Sequence, residues 1–170
     1  RNSGASDRIC SRGKVYAVDV NPMNLETVKE VCPNAVIVDG RNNQSVETIR
    51  SLTGDIGPDV VIDAAGTQDT PISSIEMVRR GGLVVLVAIY VSKSELNFNS
   101  LVSTEKAVIG SLAYTQKDVE QVVSLMSEGK LKVDPLISGV ISLDEVKPIG
   151  FERMMSPSKN IFRILVNPKA

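Results

Sequence analysis

The chain has 170 residues, with 19 Lys and Arg against 20 Asp and Glu, a net charge of −1 and 42% apolar residues. That is the length of one ordinary domain with enough apolar content for a real core. The balanced charge offers no electrostatic footprint for nucleic acid or an anionic membrane as a partner. Histidine is absent, which excludes a Ser-His-Asp triad, a Cys-His pair or a His-bearing zinc site built from this chain alone.

Tryptophan is also absent and aromatics are sparse. The abundance of Val, Ile, Leu and Ala suits a parallel sheet buried on both faces. No apolar run has the length of a membrane span, and no signal-like segment opens the sequence. Two cysteines, Cys10 and Cys32, make no disulfide framework. They are read as incidental thiols, and the expected compartment is the cytoplasm.

Residues 1–13 are polar, lack apolar periodicity and read as a loop or leader. The run Lys-Val-Tyr-Ala-Val-Asp-Val-Asn-Pro, residues 14–22, predicts a short strand over 15–18 that ends in Asp19. A helix start follows, with Asn21 as cap and Pro22 at the first helical position, where its missing N–H costs nothing. A strand that ends in a carboxylate before a helix can hold an adenosine ribose by accepting its hydroxyls. The plainer reading is a surface Asp at a strand end.

Leu25, Val28 and Val31 continue that helix until Pro33, and residues 35–38 form a second strand that ends at Asp39 and Gly40. Residues 44–52 predict an amphipathic helix closed by Gly54. Residues 59–62 then run as a strand into Asp63-Ala-Ala-Gly66, small residues that allow close approach to the backbone. A helix over 71–78 precedes Arg79, Arg80 and a Gly-Gly turn, and the apolar run 83–89 reads as a central strand. Residues 90–101 read as a polar loop, 107–113 as a strand ending in small residues, and 117–126 as a helix with Val119, Val122, Val123 and Met126 inward. An extended segment over 133–140, an amphipathic helix over 143–155 and a strand over 161–166 complete the pattern. Such alternation predicts a mainly parallel, doubly wound α/β sheet with helices on both faces. The expected domains are a polar leader over 1–14, a Rossmann-like domain over 15–130 and a C-terminal extension over 131–170. No Gly-x-Gly-x-x-Gly occurs anywhere in the chain.

The segments 15–22, 59–67, 78–87, 105–114, 129–137, 142–145 and 159–166 resemble, in order and spacing, the cofactor-binding half of zinc-dependent medium-chain alcohol and polyol dehydrogenases. This resemblance implies NAD as cofactor, with Asp19 on the ribose. Val20-Asn21 follows Asp19 where a 2′-phosphate would want a basic residue, so NAD is expected over NADP. It places Asp39 and Gly40 near the adenine, and Ala64, Ala65 and Gly66 along the adenosine side. It also places Val87, Ala88 and Ile89 with Ser111, Leu112 and Ala113 at the nicotinamide carboxamide. Arg163 falls near the pyrophosphate, or else is an exposed strand Arg. In that family a first strand, a glycine loop and a helix precede the strand at 15–18, and a zinc-bearing catalytic domain precedes those. Neither matches residues 1–13, so the expectation is an incomplete sheet, a partner or missing catalytic domain, no zinc in this chain and no activity of the chain alone. The gap in the sheet is expected to close by pairing of 15–18 with 59–62, by residues near Ile9–Cys10, or by a strand from a second chain.

Two other functions follow from the same residues. One is a non-enzymatic scaffold for nucleotide sensing or homodimer formation through an exposed strand edge. The other is a different α/β enzyme that uses Asp19, Asp39 or Asp63 with Tyr114, for which the spacing gives no nucleophile–base pair.

Overall fold

A computed structural model of the chain describes residues 13–156 and 161–169. In chain order its elements are β1 (Tyr16–Asp19), α1 (Pro22–Val31), β2 (Val36–Asp39), α2 (Ser45–Leu52), β3 (Val60–Asp63), α3 (Thr70–Met77), β4 (Leu83–Leu86), α4 (Phe98–Val102), β5 (Ala107–Gly110), α5 (Gln116–Ser127), β6 (Ile137–Ser142), α6 (Glu152–Met155) and β7 (Arg163–Asn167). Strands alternate with helices as predicted, and the fold is α/β with parallel pairing. Two compact units divide the chain, residues 38–115 in one and residues 1–37 with 116–170 in the other.

In the unit 38–115, β3, β4 and β5 pair in parallel in that order. The register stacks Val61, Val84 and Val108 in one rung, and Asp63, Leu86 and Gly110 in the rung two residues on. Side chains alternate across a sheet, so both rungs face the same side. There Val84 meets Ile75 of α3 and Val78, with Val61, Leu86, Leu96, Leu101 and Val108 around them. Val78 and Val84 are fully buried, and each such side chain stabilises the fold by about 1.5–3 kcal/mol. The opposite face, with Ile62, Val85 and Ile109 in one rung, is open: Ile62 is 65% exposed and Ile109 is 48% exposed.

In the other unit, α1 starts as predicted. The Asn21 side chain accepts the Met23 N–H at 3.0 Å, and Pro22 is the first helical residue. β1 forms a two-stranded sheet with β2, and the Val36 N–H donates to the Val15 carbonyl at 2.8 Å. The expected pairing of residues 15–18 with 59–62 is not made among the described residues. The ladder of β1 runs to the next strand in sequence, while β3 pairs with β4. The alternative closure near Ile9–Cys10 falls outside the described residues. Cys32 is disulfide-bonded rather than an incidental thiol.

β6 and β7 pair in parallel with an irregularity between Ile137 and Gly139. The helix predicted over 143–155 is replaced by a wider π-type turn, Val146–Phe151, and the short α6. Pro148 brings no N–H to a helical ladder, and the N–H groups of Ile149 and Gly150 both converge on the Glu145 carbonyl at 2.9 and 3.0 Å. Pro135 has a parallel effect, turning the start of the predicted extended segment into a 3₁₀ turn, Asp134–Leu136. On α5 the residues predicted to face inward are 43–58% exposed, Val123 most and Met126 and Val122 least. Helical spacing puts Val119, Val122, Val123 and Met126 on one stripe, but nothing among the described residues covers that stripe fully.

Candidate functional site

An open parallel sheet offers its backbone to ligands at the carboxyl ends of its strands. In this chain that edge, for β3, β4 and β5, is organised by Asp63, which is only 4% exposed. Oδ1 of Asp63 accepts the Ala65 N–H at 3.0 Å and the Gly66 N–H at 3.5 Å. Oδ2 accepts the Tyr90 hydroxyl at 2.7 Å, and the main-chain carbonyl of Asp63 accepts the Val87 N–H at 3.0 Å. A buried carboxylate left unpaired would be costly, and here both oxygens are satisfied by groups from two different loops.

Gly66 explains the closeness of those loops. Its φ is +70°, and a Cβ built on it would lie 2.9 Å from the Ala88 Cβ and 3.1 Å from the Ile89 carbonyl oxygen. The small residues expected to admit a ligand therefore first admit the neighbouring loop of the protein itself. Ser111 extends the same edge, since its N–H donates to the Leu86 carbonyl at 2.9 Å. Leu112 beside it is 86% exposed and Val87 is 41% exposed.

Burial first, then the hydrogen bond to Asp63 and its negative charge, push the Tyr90 hydroxyl from 10.0 up to about 12. The protonated phenol is thus favoured by the folded state. Its contribution is complete below the unfolded value near pH 10 and is lost as the pH rises toward about 12. Screening at this half-buried position leaves about 1–2 kcal/mol to be lost over that window. Tyrosinate absorbance should show a late-titrating phase that Tyr90→Phe removes. Alkaline denaturation midpoints should separate the two proteins below pH 10 and converge above pH 12.

Of the predicted positions, Ala65, Gly66, Val87 and Ala88 are brought together around Asp63, with Ser111 and Leu112 on the adjoining strand end. Asp39 belongs to the same unit but is engaged by its own neighbour. The Arg41 Nε donates to both carboxylate oxygens at 2.9 and 3.0 Å, and the Arg41 N–H donates to Oδ1 at 3.0 Å. That fork holds the Asp39 carboxyl down at about 2.

Asp19 and Arg163 belong to the other unit. Asp19 Oδ1 accepts the Asn21 N–H at 2.7 Å, and Oδ2 accepts the Asn24 side-chain amide at 2.8 Å. Each oxygen keeps a lone pair for a further donor, and the two asparagines fix the carboxylate in place. Arg163 is an exposed residue of β7, opposite Ile137 of β6.

Tyr90 carries no assigned role in the sequence reading, where it merely starts a loop. The sequence pairs Asp63 with Tyr114, which is 77% exposed; the phenol that Asp63 holds is Tyr90. The one available signal is an acid at a strand end followed by Ala-Ala-Gly, with a tyrosine shortly after the next strand. Among the described residues no three Cys, Asp or Glu side chains converge as a metal site. With no histidine in the sequence, the donor set of a catalytic zinc does not fit the described residues of this chain.

The family model for zinc-binding dehydrogenases matches residues 9–128. An (R,R)-butanediol dehydrogenase of Neisseria gonorrhoeae is 27% identical over 155 residues, 91% of this chain and 44% of that protein. A probable D-xylulose reductase A of Aspergillus terreus is 30% identical over 145 residues, 82% of this chain and 40% of that protein. The crystal structure of 2R,3R-butanediol dehydrogenase from Bacillus subtilis superposes with a TM-score of 0.83 at 29% identity, over 96% of this chain and 46% of that one. The chain thus spans under half the length of the relatives it matches. With more than half of its residues matched by the family model and its fold shared with the solved relative, the chain belongs to the zinc-binding dehydrogenase family and corresponds to the cofactor-binding portion of its alcohol and polyol dehydrogenases.

Proposed function

We propose that this chain is the NAD-holding part of an alcohol or polyol dehydrogenase, and that it positions the cofactor without itself supplying the metal chemistry. What carries the reading is the meeting of Ala65, Gly66, Val87 and Ala88 on Asp63, at the strand ends where an open α/β sheet takes a nucleotide. Asp19, pinned by Asn21 and Asn24 with acceptor capacity to spare, is the ribose ligand of this proposal. Its charge, and Val20-Asn21 after it where a 2′-phosphate would want a basic residue, favour NAD over its 2′-phosphorylated form. When bound, the nicotinamide accepts or donates hydride; the residues of this chain bind and orient it. The similarity to butanediol dehydrogenases and xylulose reductases supports small vicinal diols and polyols as the substrates of the complete protein.

Calorimetric titration tests this directly. NAD should bind in the micromolar range, and NADP at least about tenfold more weakly, a difference of about 1.4 kcal/mol. Asp19→Ala should weaken NAD by a similar factor and narrow the gap to NADP, because it removes both the ribose acceptor and the charge that repels a phosphate. No heat with NAD at millimolar concentration would overturn the reading. A second reading, a homodimeric scaffold without cofactor, is favoured by the β5 edge, where Ile109 is 48% and Leu112 86% exposed. A concentration-dependent dimer in sedimentation velocity, together with silent calorimetry, would favour it.

A further inference from the structure

We propose that Tyr90 and Asp63 are positioning residues that lock the loop after β4 to the loop after β3, and so set the spacing between the two backbone segments that hold the two ends of the dinucleotide. The proposal rests on the NAD-holding reading for its ligand and on the hydrogen bonds of Asp63 for its geometry.

Asp63 accepts hydrogen bonds from both loops. Its Oδ1 holds Ala65 and Gly66 on the first loop, the adenosine-side segment. Its Oδ2 holds the Tyr90 hydroxyl at 2.7 Å, and its carbonyl holds the Val87 N–H at 3.0 Å; both belong to the nicotinamide-side segment, residues 87–90. A second tie lies farther along, where the Ser94 hydroxyl donates to the Gln68 carbonyl at 2.6 Å. Between the ties Gly66 lets Ala88 and Ile89 sit against the first loop, with no room for a Cβ.

Ile89 and Val91 on either side of Tyr90 are 83% and 97% exposed. They therefore supply little packing to hold the second loop, and its position there depends on the phenol. A short O–H···O⁻ bond is about twice as strong as a neutral one, and at a partly buried position it fixes one rotamer of Tyr90. Substrate-side geometry in enzymes of this kind is sensitive to displacements of about 1 Å, so a loop held by the side-chain bonds of Tyr90 and Ser94 is a sensitive part of the site.

The test compares Tyr90→Phe, Asp63→Asn and the unmodified chain in two measurements. The first is hydrogen exchange without ligand. Tyr90→Phe should speed exchange of the amides of residues 87–91 at least about tenfold while those of β3 and β4 stay protected. Asp63→Asn should leave exchange near that of the unmodified chain, since an amide can accept from Ala65 and donate to the tyrosine oxygen. The second is calorimetry with NAD and with ADP-ribose, which lacks the nicotinamide. Tyr90→Phe should weaken NAD about tenfold and ADP-ribose by less than about threefold, and Asp63→Asn, which keeps the link between the loops, should hold NAD within about threefold of the unmodified chain; a merely structural defect would weaken both ligands alike. Unchanged exchange in Tyr90→Phe, or equal loss for both ligands, overturns the lock. Failure of the unmodified chain to bind either ligand, with faster loop exchange in Tyr90→Phe, overturns the cofactor reading and keeps the lock between the loops.

Discussion

Gly57→Ala should destabilise the unit 38–115 by about 3–5 kcal/mol, enough to lower the thermal midpoint by on the order of 10 °C in a chain of this size. Gly57 is buried in the turn between α2 and β3, with φ at +94°. A Cβ there would lie 2.3 Å from the Met77 carbonyl oxygen and 2.9 Å from the Arg79 nitrogen. Both neighbours are backbone and cannot rotate away. The turn is also tied on both sides: the Arg79 N–H donates to the Pro58 carbonyl at 3.0 Å, and the Gly57 N–H donates to the Thr53 hydroxyl at 3.0 Å. Relieving the clash means separating the end of α3 from the turn, which opens the cluster around fully buried Val78. Gly54→Ala is the control. Its φ is +65°, but nothing lies within 4 Å of the added Cβ, so only the left-handed backbone strain of about 1–2 kcal/mol applies. Chemical denaturation of both variants separates the terms, and equal losses would show that the close approach in the turn carries no weight.

That turn illustrates what a sequence conveys about this fold and what it withholds. The start of α1 was readable because Asn21 and Pro22 act on their own neighbours, and a cap is a local device. The strand ends at Asp63, Leu86 and Gly110 were readable to within a few residues because apolar runs give way to small or polar residues there. The positions expected at the nucleotide, Ala65, Gly66, Val87 and Ala88, came from a family resemblance and meet at one edge of the sheet.

The partner of Asp63 was not readable. Tyr90 lies 27 residues further on, and nothing in the local sequence of either residue selects the other over Tyr114. Asp39 shows a different limit. A residue two positions away, Arg41, takes its carboxylate, and a strand-end acid looks the same whether or not that happens. Apolar periodicity misleads in a third way on α5. It reports which residues share a stripe and is silent on whether anything covers the stripe, so Val119, Val122, Val123 and Met126 were expected inward and remain about half exposed.

The two faces of the central sheet provide the sharpest test of this distinction, because residues of the same type on adjacent strands should respond in opposite ways. Val84→Asp should abolish cooperative folding of the unit 38–115, with a loss above about 4–5 kcal/mol. Val84 is fully buried on the middle strand, between Val61 and Val108 in register and under Ile75 and Val78. An aspartate there has no cation or donor within the cluster to pair with, and a buried unpaired carboxylate must either stay charged at large cost or take up a proton. Ile62→Asp introduces the same side chain one residue from the carboxyl end of β3, where Ile62 is 65% exposed. Its charge stays in water, and the loss should stay within about 1 kcal/mol, mostly the lower strand propensity of Asp. Far-ultraviolet circular dichroism and urea midpoints for the two variants measure the contrast. If Ile62→Asp proves as damaging as Val84→Asp, the face bearing Ile62 and Ile109 is covered in solution, and a second copy of the chain becomes the first candidate for what covers it.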